Sequence, residues 1–362
     1  ALFVITGGIF VDGDIEAKPK INTLFLVIGA VLASIMGTTG AAMLLIRVLI
    51  HTNKARKFKV HTILFFIAIV ANCGGLLTPL GDPPLFMLYL RGADFFWFLK
   101  LLPEWAFVNG ILCILYFFVD SYYWKKEAPE DRTRERINVK KIKIHGKINF
   151  IWLAGVILSV ALINYNVIPA LKYNPYLSFT REISIFLMAV MSLKFTTHLT
   201  RIENSFSWHP IEEVTYLFLG IFMTMVPCII YLEANANTLG VVSPASFYYF
   251  TGGLSAFLDN TPSAVAFYSL AQGLVKSNGA LIFNTPTVAG IPEILMKAIS
   301  VSSVFFGAMT YIGNGPNFMV KAIAESNNIK MPHFFAYMFK FSLIILLPLF
   351  ILTELIFIIN NL

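Results

Sequence analysis

Charge is what this chain has least of. Only 13% of its 362 residues are Asp, Glu, Lys or Arg, while 57% are hydrophobic. A soluble domain carries roughly 25% charged residues, so this composition suits a lipid-facing surface and not a water-facing one. Cysteine is scarce as well. Cys73, Cys113 and Cys228 stand alone in apolar stretches, without a CxxC or Cys/His partner, which excludes a disulfide framework and a zinc site. They read as small buried hydrophobes. Also missing are a Walker A sequence, a dinucleotide fingerprint, HExxH and GxSxG, so ATP-driven transport and enzymatic hydrolysis have no local support, and no cofactor is implied. The net charge of +7 does not point to nucleic acid, because the basic residues sit in short clusters between apolar runs, as topology signals do.

What is present is a series of apolar stretches: 22–50, 62–90, 103–124, 148–170, 183–199, 214–232, 244–275, 293–320 and 333–359. They amount to about ten membrane-crossing or re-entrant pieces of roughly 20 residues. The opening run, residues 1–10, is too short to span and reads as the tail of an upstream helix. One strongly polar segment, 125–147, is expected to be a solvated linker between a first repeat (1–124) and a second (148–362).

Four of the stretches are interrupted by helix-breaking sequence: Gly37-Thr38-Thr39-Gly40, Gly81-Asp82-Pro83-Pro84, Asp259-Asn260-Thr261-Pro262 and Gly313-Asn314-Gly315-Pro316-Asn317. Backbone groups freed inside a bilayer are tolerated only within protein or beside a water-filled cavity. The interruptions also match in pairs. TPLGDPPLFM (78–87) aligns with TYIGNGPNFM (310–319), Thr78 on Thr310 and Gly81 on Gly313; ASIMGTTGAAM (33–43) lies over SAFLDNTPSAV (255–265). Each half therefore predicts a re-entrant hairpin (22–50, 244–275), a broken helix (62–90, 293–320) and an intact helix (103–124, 333–359). The fold class expected is an all-α polytopic membrane protein of two inverted repeats, with its site between them. Lys18 and Lys20 before the first hairpin, with Arg47, Lys54, Arg56, Lys57 and Lys59 at its far end, place that flank and the linker 125–147 in the cytoplasm of a cell whose inner membrane holds the protein. Residues 277–292, flanking the second hairpin, contain no Lys or Arg, so that hairpin is expected to enter from outside.

Chemistry concentrates in the breaks. Asp82 and Asp259 are acids in apolar sequence, where a charge costs about 2.5–3.5 kcal/mol and is by default functional; each could equally cap a half-helix. Around them stand Thr38, Thr39, Thr78, Asn260, Thr261, Thr310, Asn314 and Asn317, oxygen donors that suit a hard cation. The half-helix N-termini would favour an anion instead. The breaks hold no Arg or Lys, and two acids without a base tilt the reading toward cation or proton exchange. Asn72 is expected to line the cavity behind the first hairpin, Glu104 to sit at the outer interface beside Trp105, His198 and Lys194 at the inner one, and Glu212 and Glu213 in a short surface stretch (204–213).

The paired tips and paired unwound helices, GTTG with GDPP and DNTPS with GNGPN, resemble the ion-transporter superfamily over essentially the whole chain. DNTPSA and TPLGDPPLF look closest to NhaD-type sodium/proton antiporters and to a related group of citrate-transport proteins. The resemblance implies a scaffold domain that often dimerises, so a homodimer, and a mobile domain carrying both hairpins in elevator-like transport. Dicarboxylate carriers of the superfamily have Ser-Asn-Thr at both tips, where this chain has Gly37-Thr38-Thr39 and Asp259-Asn260-Thr261. The expectation is thus sodium (or lithium)/proton antiport with lipid and small ions as partners, Asp259, Thr261, Thr39 and Asn314 forming the sodium site; the alternative is a cation-coupled citrate or dicarboxylate carrier.

Overall fold

The apolar stretches fold as helices, and the four interruptions fold as the joints between them. A computed structural model describes residues 1–359 apart from 15, 129–139, 165–166, 169–170, 172–176, 178, 205 and 279–284. A short helix α1 (Leu2–Thr6) and strand β1 (Phe10–Asp14) lead into the first hairpin, α2 (Pro19–Met36) and α3 (Thr38–Thr52). Pro19 opens α2 at the one place where a missing N–H costs nothing. Gly37 ends it with φ +86°, a conformation that a side chain would strain. The broken helix follows as α4 (Val60–Ile69), a 3-10 turn (Cys73–Leu77) and α5 (Pro83–Leu90), and α6 (Leu102–Lys126) completes the first half.

Strand β2 (Lys140–His145) pairs antiparallel with β1, so the expected linker returns to the N-terminal segment instead of running free; the rest of that segment, 129–139, lies outside the described residues. Helices α7 (Asn149–Leu162), α8 (Thr180–Phe195), α9 (His198–Glu203) and α10 (His209–Ala234) come next. Glu212 belongs to the first turn of α10, not to a separate surface stretch; the Glu213 side chain lies outside the described residues. The second hairpin is α11 (Pro244–Phe257) and α12 (Asn260–Asn278), started by a capping box in which Ser243 and Ser246 exchange side-chain-to-backbone bonds. A two-stranded ribbon, β3 (Thr287–Val288) and β4 (Ile291–Pro292), precedes the second broken helix: α13 (Glu293–Phe306), a 3-10 turn (Gly307–Met309) and α14 (Gly315–Ser326). The last span is α15 (Phe334–Tyr337), nine residues of π-helix (Met338–Leu346) and α16 (Leu347–Phe357).

Five helical segments among the described residues are long and apolar enough to cross a membrane, and Thr38–Thr52 and Asn149–Leu162 are shorter apolar helices. Exposed apolar residues recur at helical spacing, as in Leu24, Val27, Ile28 and Val31 on α2. Such faces are stable against acyl chains. The chain is an all-α polytopic membrane protein.

The halves pack by exchange. The first arm of each hairpin lies on its own broken helix, α2 on the 73–77 turn and α11 on α13. The second arms cross over, α12 against α5 and α3 against α14. This exchange brings all four joints together.

Candidate ion and substrate site

Matched letters become matched geometry. Thr78 Oγ1 donates to Ser34 O at 2.5 Å and accepts Leu80 N at 3.2 Å. Thr310 Oγ1 donates to Ala256 O at 2.5 Å and accepts Ile312 N at 3.2 Å. Each hydroxyl thus clips a broken helix to the last turn of its hairpin's first arm. The glycines match as well: a Cβ on Gly81 would lie 2.0 Å from Gly75 O, and one on Gly313 would lie 2.7 Å from Gly307 O. Only glycine lets these backbones approach so closely.

At the centre is the Asp82 carboxylate, 1% exposed, and every other break sends one side chain to it. Thr38 Oγ1, from the first tip, donates to Oδ1 at 2.7 Å. Asn260 Nδ2, from the second tip, donates to Oδ2 at 2.6 Å. Asn314 Nδ2, from the second broken helix, donates to Oδ1 at 3.1 Å. Behind them Asn72 Oδ1 accepts from Asn314 at 3.1 Å, and Asn72 Nδ2 donates to Asn317 Oδ1 at 2.6 Å. Asn317 in turn donates to Gly307 O and Thr310 O, satisfying carbonyls that the break frees.

Asp82 occupies the N-cap of α5, yet it does not cap with its side chain. The next two residues are Pro83 and Pro84, which have no N–H to offer, and the following Leu85 N and Phe86 N bond to the Asp82 carbonyl at 3.1 and 3.3 Å. The carboxylate is left free for other partners. Among the described residues no Lys, Arg or His pairs with it. A buried carboxylate without a counter-charge is costly, so this arrangement calls for a proton or a cation.

Asp259 behaves differently. It is half-buried, and its Oδ1 accepts Thr261 N at 2.8 Å, the bond of an N-cap for α12. Among the described residues no hydrogen bond joins it to Asn314 or Thr39, so the expected set of Asp259, Thr261, Thr39 and Asn314 is not assembled by direct bonds. Instead Thr39 lines a cavity of about 460 Å³ with Gly37, Thr38, Gly40, Gly81 and Asp82. The far wall is mostly apolar, from Val156 and Val160 of α7, Ile185 of α8 and Val214 and Phe218 of α10, with Thr215 among them and residues 1–4 at one side. The cavity touches the first tip and not the second. There Gly37 supplies no side chain to cap α3, and Thr38 N is taken by Gly81 O at 2.7 Å. The next two N–H groups, Thr39 and Gly40, are early in the helix and have no intrahelical acceptor.

Other expected residues fall elsewhere. Glu104, expected at the outer interface, is fully buried, with Lys297 Nζ at 2.7 Å, an ion pair joining the halves. Lys194 and His198, expected at the inner interface, are exposed. Asn72, expected to line the cavity behind the first hairpin, is a full member of the polar cluster. Its signal in the sequence was a polar residue in VANCGG, within an apolar stretch and ahead of the Gly81 break.

Two hairpins and two broken helices closing on one buried carboxylate, beside a cavity large enough for an organic solute, define a membrane transporter architecture. Residues 1–358 match the family model described as "Putative citrate transport", and the chain belongs to that family of the ion-transporter superfamily. No curated protein matches the chain.

Proposed function

We propose that the protein is a cation-coupled carrier for citrate or a similar small carboxylate. The observation that carries this reading is the cavity at the first hairpin tip. A bare sodium ion needs only a few oxygen ligands, whereas about 460 Å³ is the size range of small-molecule pockets. The Thr39 and Gly40 N–H groups and the Thr39 hydroxyl offer a carboxylate its donors at a helix N-terminus. Among the described residues the lining contains no Lys, Arg or His side chain, so the solute's charge has to be offset by a co-transported cation. Asp82, on the wall of the same cavity, is where that cation or proton is held.

The family description speaks for this reading over sodium/proton antiport, although both use Asp82. In the membrane we place the basic loop 53–59 and the segment 125–147 at the cytoplasmic face, by the distribution of Lys and Arg. α4 rises about 15 Å before it breaks, half of a roughly 30 Å hydrocarbon core, which puts Asp82 near mid-depth. Reconstitution in liposomes with an internal pH dye tests the assignment. Citrate uptake that requires an added cation is the expected result. Sodium- or lithium-driven proton movement with no dependence on carboxylate would replace it with the antiport reading.

A further inference from the structure

A second charged cluster is buried away from the Asp82 site, where the base of the first hairpin meets α4 and α6. Arg56, in the loop between hairpin and α4, grips Asp120 with two bonds, Nη2 to Oδ1 at 2.6 Å and Nη1 to Oδ2 at 3.1 Å. His61 Nε2 lies 2.8 Å from the same Oδ1. Asn22 of α2 donates to Asp120 at 3.4 Å and to Asn53, just past α3, at 2.9 Å. Glu127, at the end of α6, accepts Phe58 N at 2.9 Å and Lys57 N at 3.2 Å, with Arg56 Nε 3.9 Å away. Arg56, Asp120, Glu127 and His61 are 2%, 0%, 4% and 9% exposed.

Among the described residues one guanidinium faces two carboxylates, which leaves one negative charge over in a place where an unbalanced charge is costly. Among the described residues, the other groups on the elements packed around His61 have contacts of their own. Tyr116 and Tyr123 of α6 present their rings at 6.1 and 4.7 Å, Lys57 Nζ sits over the Phe58 ring, Lys59 Nζ donates to Lys54 O in an exposed bond, and on α14 Lys321 closes on Glu325 at 3.0 Å. A proton added at Nδ1 of His61, while Nε2–H donates to Asp120, brings the cluster to neutrality.

We propose that His61 and Asp120 form a proton-binding site, separate from the Asp82 site, through which pH acts on transport. The position gives the proton leverage. The cluster ties the feet of α2, α3 and α4 to α6, and the other ends of those helices carry Thr38 and the break that holds Asp82. Proton uptake fastens the base of both site-bearing elements, and proton release loosens it.

Trp124, whose ring lies 5.2 Å from the Arg56 guanidinium, is a built-in reporter. Its fluorescence, isolated by difference from Trp124→Phe, is expected to show one inflection over the pH range in which the protein stays folded. The inflection should vanish in His61→Gln and persist in Asp82→Asn. Transport of whichever cargo the liposome assay reveals should lose its inflection over that range in His61→Gln, so the result does not depend on the cargo being citrate. Identical pH responses in wild type and His61→Gln overturn the proposal. Should that variant fail to fold, a ring-labelled histidine spectrum of the native chain decides: a titrating imidazole with the upfield shift imposed by the stacked Tyr123 ring supports it, and the absence of such a signal refutes it.

Discussion

At the residue scale, two acids that look alike in sequence are set to different work by their neighbours. Asp259 is followed by Asn260 and Thr261, which supply N–H groups to cap; Asp82 is followed by two prolines, which supply none. Asp82→Asn is therefore expected to abolish cation dependence of transport in a protein that still folds, since the amide keeps the shape but not the charge. Asp259→Ala is expected to cost about 1 kcal/mol of stability through the lost cap, with coupling retained. Thermal melting in detergent and transport assays on the two variants check both. Loss of coupling in the Asp259 variant, with full coupling in the Asp82 variant, would reverse the assignment. The sequence made both acids visible as intramembrane charges, but ranked Asp259 first. It could not show that Thr38, Asn260 and Asn314, from three distant breaks, all turn toward Asp82.

At the scale of the elements, the halves are built on one plan and finished differently. The Thr78 and Thr310 clips are equivalent, so Thr78→Val and Thr310→Val should each lower stability by about 1 kcal/mol, the net worth of a hydrogen bond. A large difference between their melting shifts would argue against the shared plan. Gly81→Ala places a methyl against the Gly75 carbonyl and should cost about 1–3 kcal/mol or more, as overpacking does. These joints were legible from the chain itself, because Gly, Pro and Thr recur in register at 78–87 and 310–319. Two features were not. The β1–β2 pairing joins segments far apart in sequence, one of them inside a run dominated by basic residues that reads as linker. The Arg56–Asp120–His61 cluster draws on four elements, and none of its members stands at a break.

At the scale of the whole molecule, the halves are held to each other as well as matched. Glu104 of α6 and Lys297 of α13 pair across them, and both Glu104 oxygens lie buried with no hydrogen bond besides that ion pair. Glu104→Ala leaves the partly exposed Lys297 without its partner and should destabilise by about 1–3 kcal/mol, read as a fall in melting temperature. Exchange of the second arms, α12 onto α5 and α3 onto α14, makes the four joints one polar centre, while the cavity opens onto the first tip alone. One half thus presents uncapped N–H groups to a solute, and the other half caps its own tip with Asp259. That asymmetry within a symmetric plan is what gives solute and cation separate places in the proposed mechanism.

The most direct measurement is calorimetry of citrate binding to the purified protein with and without a coupling cation, for wild type and Asp82→Asn. Wild type is expected to bind citrate only when the cation is present, and the variant to lose that dependence. Citrate binding of equal strength with no cation in wild type, or no citrate binding under any cation, would contradict cation-coupled carboxylate transport centred on Asp82.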